Sequence, residues 1–513
     1  MEVEFKFCIP AERRDAVEAD VRLGPVRRTR LRARYFDTAH GALAAHKMVL
    51  RLRLEGKQWV QTTKAAGRGP LDRLEHNVDI DVDSGLLTAV PDAQRHAGTP
   101  VGKLLVDVLA QTDEPLMEVY STDIWRLVRI EQEGDTHVEL AFDTGRIVGP
   151  ARGSAKPRVT RICELELELL DGPVQGLVTV AQRWSQNHGL WLSTVSKAAH
   201  GERLLTGTDV VPAVKATPPV FIGKTARRPT GPAVQQAVIT ACLAQVLPNA
   251  SEIAAGSQDA EQIHQLRVGL RRLRTALREL EPLAPGFDPA WQAPLADAFR
   301  ALGARRDRET VLNAIAPRLT AVGAPPVVLT KDVSSVPSPA EAVRNASVQA
   351  VLVALIGLVT QDPEEEANDH SGAQGKDRGF GAGATRRYLR KRLRKLHAHT
   401  VHDGERFESL SHDEQHQVRK RLKRLRYLSE FVAPLFDAGQ VHRYLDRLEP
   451  AQDGLGRFND DIVALRAYRD AANSDPRAWF AVGWLSALQG KSGRDCTKAL
   501  KRIGKSQPFW SPD

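Results

Sequence analysis

The chain opens Met1-Glu2-Val3-Glu4-Phe5-Lys6-Phe7, with a charge at every second position from Glu2 to Lys6. Alternate side chains of an extended strand share a face, so Glu2, Glu4 and Lys6 line one side and Val3, Phe5 and Phe7 the other. A half-buried strand with its polar face in water would read the same way, so the rest of the chain has to decide. Arg51 and Arg53 share a face in VLRLRLE (49–55), as do Thr62 and Lys64 in WVQTTK (59–64). Arg73, Glu75, Asn77 and Asp79 alternate in DRLEHNVDI (72–80), and Glu139 and Asp143 share parity in HVELAFD (137–143). Glu164, Glu166 and Glu168 form an unbroken acidic face in CELELELL (163–170). Water gives no reason to sort carboxylates and cations by strand. Turned inward, these faces would make a polar tunnel in which carboxylates repel unless divalent cations bridge them, while Arg and Lys hold an anion's oxygens. That is the chemistry of a metal–phosphate site.

Short alternating runs dominate as far as about Gly201, separated by Gly-, Asp- and Pro-containing turns. AERRDAVEADVR (11–22) and GPVQGLVTVAQRWSQNHG (172–189) read as helices between them. TDVVPAVKATPPVFIGKTARRPTGP (208–232) lacks periodicity and reads as a linker. Beyond it the helical period takes over, interrupted by a polar insertion at 362–384. The expected organisation is a mostly antiparallel β domain over 1–205, a linker over 206–230 and an all-α domain over 231–513. The net charge of +9 divides into −2 for residues 1–210 and +11 for 211–513, so the excess positive charge lies in the helical part. Cys8, Cys163, Cys242 and Cys496 show no metal-like spacing, and a reduced, cytoplasmic setting fits them. No run of about eighteen apolar residues suggests a membrane span.

The helical part repeats. HQLRVGLRRLR (264–274) aligns without gaps on HQVRKRLKRLR (416–426), and LGARRD (302–307) is echoed by LGRFND (455–460). Two related helical bundles about a pseudo-twofold axis are expected. On a helix, His264, Arg267, Arg271, Arg274 and Arg278 fall in one stripe, opposite Leu266, Leu270, Leu273 and Leu277. The second copy keeps the stripe as His416, Arg419, Lys423 and Arg426. ATRRYLRKRLRKLHAHT (384–400) adds another basic helix. Like charges at i,i+3 and i,i+4 repel, so a stripe without acidic relief calls for an anion. Few aromatics accompany the stripes and no base-reading motif is visible, so no specific nucleic-acid partner is expected.

The duplicated H-x-x-R motif, the LGxxRD echo and the closing KSQPFW (505–510) resemble a CHAD domain, a conserved histidine α-helical domain. The resemblance implies two four-helix bundles whose basic surface binds inorganic polyphosphate. It also implies unequal halves, because Phe458-Asn459 stand where the first copy has Arg305-Arg306. The N-terminal strands resemble the CYTH family of triphosphate tunnel metalloenzymes. Its E-x-E-x-K stands as Glu2-Val3-Glu4-Phe5-Lys6, its YFDT as Tyr35-Phe36-Asp37-Thr38, and its R-x-R as Arg51 and Arg53. R-x-E-x-E is matched by Arg73 and Glu75, with Asn77 in place of the last acid. Lys197 in SKAAHG resembles the family's closing lysine, with Ala199-His200 where an arginine usually precedes the glycine.

This resemblance implies an eight-stranded antiparallel tunnel in which Glu2, Glu4, Asp143, Glu164 and Glu166 hold Mg²⁺ or Mn²⁺. Lys6, Arg51, Arg53, Lys64, Arg73, Arg126 and Lys197 would then grip a triphosphate, with Lys6 and Glu168 at the reacting end and Glu168 or another inward acid orienting the attacking water. Joined to a polyphosphate-binding half, such a tunnel suits inorganic triphosphate as substrate. Thiamine triphosphate or ATP, or a non-catalytic protein that only grips polyphosphate, are the alternatives, and nucleic-acid binding ranks behind them.

Overall fold

The computed structural model describes residues 3–66, 73–80, 90–150, 156–207, 211–222, 226–329, 336–361 and 379–511, without the side chains of residues 66, 73 and 304–312. Glu2 lies outside the described residues, and so do residues 362–378 of the insertion at 362–384. The chain divides into two compact units. The first comprises Met1–Lys215, Leu243–Gln265 and Val343–Gln361, and the second Ala216–Cys242, Leu266–Ala342 and Asp362–Asp513.

The first unit is built on one antiparallel sheet. Its strands are β1 (Glu4–Cys8), β2 (Arg27–Asp37), β3 (Met48–Glu55), β4 (Gln58–Ala66), β5 (Arg73–Ile80), β6 (Met117–Glu133), β7 (Thr136–Val148), β8 (Val159–Asp171) and β9 (Trp191–Leu192). Their order is β5-β4-β3-β2-β6-β7-β8-β1-β9, so the sheet has nine strands where eight were expected. The extra strand is the two-residue β9 beside β1, too short to show any alternation in sequence. Among the described residues no ladder joins β5 to β9. Two hairpins pin the register locally. Gly56 (φ 62°) between β3 and β4 and Gly134 (φ 56°) between β6 and β7 supply the left-handed residue that two-residue turns require.

The helices of this unit are α1 (Arg14–Val21), α2 (Ala42–Ala45), α3 (Pro100–Leu109), α4 (Val174–His188) and α5 (Lys197–Thr206). One sheet face packs Leu50, Leu52 and Phe36 under Val101 and Leu105 of α3. Further along, α4 packs on β6, β7 and β8. Each such leucine, fully removed from water, contributes about 1.5–3 kcal/mol. With its apolar side covered by helices, the sheet is left with one strongly charged face.

The helical part begins with α6 (Gly231–Ala254), α7 (Ala260–Glu279), α8 (Gln292–Thr320), α9 (Pro339–Arg344) and α10 (Ala346–Thr360). It continues with α11 (Ala382–Glu405), α12 (His412–Val432), α13 (Ala438–Ala471) and α14 (Ala478–Gly504). Within the first unit α10 packs along α4. The buried Gln349 side chain accepts from Leu192 N at 2.8 Å and donates to Val343 O at 2.8 Å. Gln349→Ala strands both groups without partners, so the first unit should lose about 1–3 kcal/mol. Hydrogen exchange at Leu192 checks this. Among the described residues α6 alone is long and apolar enough to cross a membrane, and most of it is buried in the protein. It also carries buried polar groups that are satisfied internally, among them Gln235 on Leu280 O (2.8 Å) and Asn249 on Val214 O (2.9 Å). In the second unit α11, α12, α13 and α14 pack as neighbours, with Leu393, Leu425, Leu448 and Leu500 fully buried among them.

Candidate active site and basic helices

Registers carry every parity argument onto one face. Across β1, β8 and β7, Glu4 stands opposite Glu168, which faces Glu139; Lys6 stands opposite Glu166; and Glu164 faces Asp143. Asp143 faces Arg126 on β6. On the other side of β2, Ala33 faces Arg53 and Tyr35 faces Arg51. Arg51 then faces Thr62, Thr62 faces Asn77, and Lys64 faces Glu75. Arg73 holds the β5 position opposite Ala66, in phase with Glu75, and its side chain lies outside the described residues.

The deepest part of this face is acidic. Ligand oxygens of Asp143, Glu164 and Glu166 lie within 4.8 Å of one another, with Asp143 and Glu164 buried. Lys197, at the start of α5, projects its ammonium among them. It stands 2.8 Å from Asp143 Oδ2, 2.9 Å from Glu166 Oε1 and in contact with Glu164. Arg126 donates to Asp143 through two hydrogen bonds of 2.8 and 2.7 Å and also pairs with Glu166. Burial opposes the charge on Lys197, but the three carboxylates outweigh it and hold the ammonium well above the usual lysine range. Glu166 is likewise opposed by burial, yet Lys197 and Arg126 keep it well below the ordinary carboxylate range. Glu164 is held above that range, chiefly by burial.

Three convergent carboxylates already gathered on a cation are a donor set of the kind that suits a hard divalent ion. The acids expected to share a metal therefore separate. Asp143, Glu164 and Glu166 converge, Glu4 sits one rung further along beside Glu168 and Glu139, and Glu2 is outside the description. Lys197, expected on phosphate, here engages the acids instead.

Next to the acids lies one arginine whose charge is under-compensated. Burial, and then Arg51 beside it, push Arg53 below its ordinary range, while Glu55 offsets this only in part. An anion placed there would relieve it. Lys64 pairs with Glu75, and Asn77, where the family has an acid, accepts from Thr62 Oγ1 (2.6 Å) and donates to Glu75 (3.2 Å). Lys6 donates to Val195 O. His200, one turn after Lys197, is pushed down to about 4 by burial and by Arg203, Lys6 and Lys197, so a neutral imidazole borders the site. Glu75, matched to the R-x-E-x-E motif, and His200 were given no role at the site from the sequence. Strand parity with Lys64 marks the first, and nothing in the local pattern marks the second.

In the second unit the two repeats meet at their cations. Arg267 and Arg271 of α7 lie 5.0 and 4.9 Å from the ring centre of Phe299, an aromatic that the sequence did not place near the stripe. Lys423 of α12 is pushed down to about 6, by burial first and then by Arg271 and Arg419, with Arg267 adding and Asp460 opposing. His416 bonds Asn459 (3.2 Å), a residue of the altered echo. Arg274 is lowered by burial and by Arg278, Arg300 and Arg271. His264 is exposed on α7. The expectation of no acidic relief fails at Arg426, which bonds Glu430 (2.6 Å) and Gln452 (2.7 Å).

The CYTH domain model matches residues 1–201 and the CHAD domain model residues 237–469. The chain carries a CYTH domain and a CHAD domain. An inorganic triphosphatase of Haemophilus influenzae is 29% identical over 170 residues, 33% of this chain and 44% of that protein. The chain therefore matches less than half the length of that curated relative. Among solved structures, the CHAD domain from the plant Ricinus communis is 24% identical, covering 56% of this chain and 94% of its own, at a TM-score of 0.38. A Hippeastrum protein with a dominant triphosphatase activity is 17% identical, covering 41% of this chain and 98% of its own, at a TM-score of 0.29.

Proposed function

We propose that the CYTH domain hydrolyses inorganic triphosphate to diphosphate and phosphate with a divalent cation, Mg²⁺ or Mn²⁺, and that the CHAD domain binds inorganic polyphosphate. One observation carries the first part: a convergent acid cluster and the under-compensated Arg53 share a single sheet face. The CYTH match and the Haemophilus triphosphatase support it. Asp143, Glu164 and Glu166 would hold the cation, with Glu4 reaching it from the next rung. Bound there, it would offset charge building on the phosphoryl oxygens.

The rest falls to the chain's own groups. Arg51, Arg53, Lys64, Arg73 and Arg126 bind the phosphate oxygens and set the chain in line, since phosphoryl transfer depends on position and charge compensation. Lys6 neutralises the reacting end. Glu168, half-buried between Glu4 and Glu139 on the same face, orients the attacking water. Lys197 gives up its place among the acids and turns to the phosphates. The deciding assay is phosphate release from triphosphate, ATP, thiamine triphosphate and long-chain polyphosphate, each with Mg²⁺, Mn²⁺ or EDTA. Triphosphate should be cleaved fastest and EDTA should stop it. Faster release from ATP or thiamine triphosphate would replace the inorganic reading with an organic one. The four free thiols support a cytoplasmic setting for this chemistry.

Cation binding has a readout apart from turnover. Lys197→Met removes the counter-ion of three crowded carboxylates and should destabilise the protein by about 3–5 kcal/mol in EDTA. Mg²⁺ should then raise the variant's melting temperature more than the wild type's. Equal shifts would mean that no divalent ion enters the cluster.

For the helical half, the meeting of Arg267, Arg271, Arg419 and Lys423 supports polyphosphate as the ligand. A polyanion favours the charged form of Lys423, so binding takes up a proton between pH 8 and the free value of about 6. Affinity should therefore rise as pH falls through that window. Lys423→Arg, charged throughout, should flatten the rise in calorimetric titrations with long-chain polyphosphate.

A further inference from the structure

We infer that the second unit carries a separate binding site for a nucleoside phosphate, in the cavity at the N-terminal end of α11. The cavity is about 280 Å³, at the small end of small-molecule sites. Arg227 and Arg228 enter it from the turn before α6, and Arg386, Arg387 and Arg390 from the first turns of α11. No acidic residue lines it, and none of these five arginines forms an ion pair among the described residues. The Arg390 Nε is buried with no hydrogen-bond partner. No side chain caps α11 at Gly381, so its first N–H groups add positive potential at the same spot.

Guanidinium forks, an unpaired buried donor and a helix start together ask for phosphate oxygens. The remaining wall is apolar, which a bare phosphate chain cannot use. Leu389, Leu435 and Phe436 supply it. Phe436 packs edge-on against Phe509 with ring centres 5.0 Å apart, and Arg386 lies 5.9 Å from the Phe436 ring. A planar base can take the place of the exposed Arg386 guanidinium on the Phe436 ring, with its phosphates on the arginines. The site is on a different helix from the Arg267, Arg271, Arg419 and Lys423 cluster and has its own volume.

The test uses the full chain in EDTA. Photolabelling with 8-azido-ATP followed by peptide mapping should mark residues of α11 or the Leu435–Phe436 segment, and unlabelled ATP should protect better than inorganic triphosphate. In calorimetry the Arg386→Ser/Arg390→Ser variant should bind ATP at this site at least about tenfold more weakly, about 1.4 kcal/mol. Triphosphate hydrolysis by the same variant, assayed separately with Mg²⁺ in place of EDTA, should not change, which keeps this outcome apart from the assignment of the sheet site. Labelling confined to residues 1–205, unchanged ATP affinity in the variant, or equal protection by triphosphate would each overturn the proposal.

Discussion

Glu166→Gln is expected to abolish triphosphate hydrolysis, a fall of at least about a thousandfold or about 4 kcal/mol of barrier. Polyphosphate binding by the helical half should be untouched. The substitution keeps volume and one carbonyl oxygen but removes the charge, so the cluster with Asp143 and Glu164 drops from three carboxylates to two. A divalent ion bound by hard oxygen donors loses most from that change. The arginine next to it should stay in place, because Arg126 keeps both hydrogen bonds to Asp143 at 2.8 and 2.7 Å. The loss would thus trace to the cation and not to a displaced guanidinium. Activity assays over a range of Mg²⁺ concentrations check this, with circular dichroism confirming the fold. Metal-dependent turnover at the wild-type rate would mean that the acid cluster is not the metal site.

Strand parity was the readable part of that site. Period-two alternation fixes which residues share a face as soon as a strand is recognised, so Glu4, Lys6, Arg51, Arg53, Lys64, Glu164 and Glu166 could be grouped before any pairing was known. Which rung each occupies depends on register, and register is set by non-local pairing and turns. That is why Glu4 and Glu164 looked like equal partners while the structure sets them on different rungs. Lys197 projects from a helix start 31 residues beyond Glu166, and no local period announces that its ammonium reaches the acids. The place of Gln349 in the first unit was likewise hidden, because α10 lies 157 residues beyond the strand whose N–H it caps. One miss was legible: Arg426 and Glu430 stand four apart on one helix, the spacing of an ordinary ion pair. Phe299 beneath Arg267 and Arg271 was not, since α8 meets α7 only through the tertiary fold.

Reversing four charges, Arg267→Glu, Arg271→Glu, Arg419→Glu and Lys423→Glu together, should collapse binding of long-chain polyphosphate by at least about a hundredfold at physiological salt. These are the positions at which the two repeats converge, as the effect of Arg271, Arg419 and Arg267 on Lys423 records. Crowding of this kind disfavours the charge on Lys423, and a polyanion would relieve it. The leucines behind them, Leu266, Leu270, Leu422 and Leu425, are buried and unchanged, so the helices should still pack. Arg426 is left out because Glu430 and Gln452 already hold it. Wild-type affinity should fall steeply with added salt, since each neutralised phosphate releases counter-ions; slopes of about −0.7 to −0.9 per contact are known for nucleic acids and serve as a guide. Phe299 lies under two of the arginines and gives a base something to stack on, so the competitor matters. Polyphosphate should displace single-stranded DNA of equal phosphate count from the wild type, and Phe299→Leu should leave polyphosphate affinity unchanged. If DNA binds as tightly and Phe299→Leu weakens it, the basic helices read nucleic acid and not a phosphate chain.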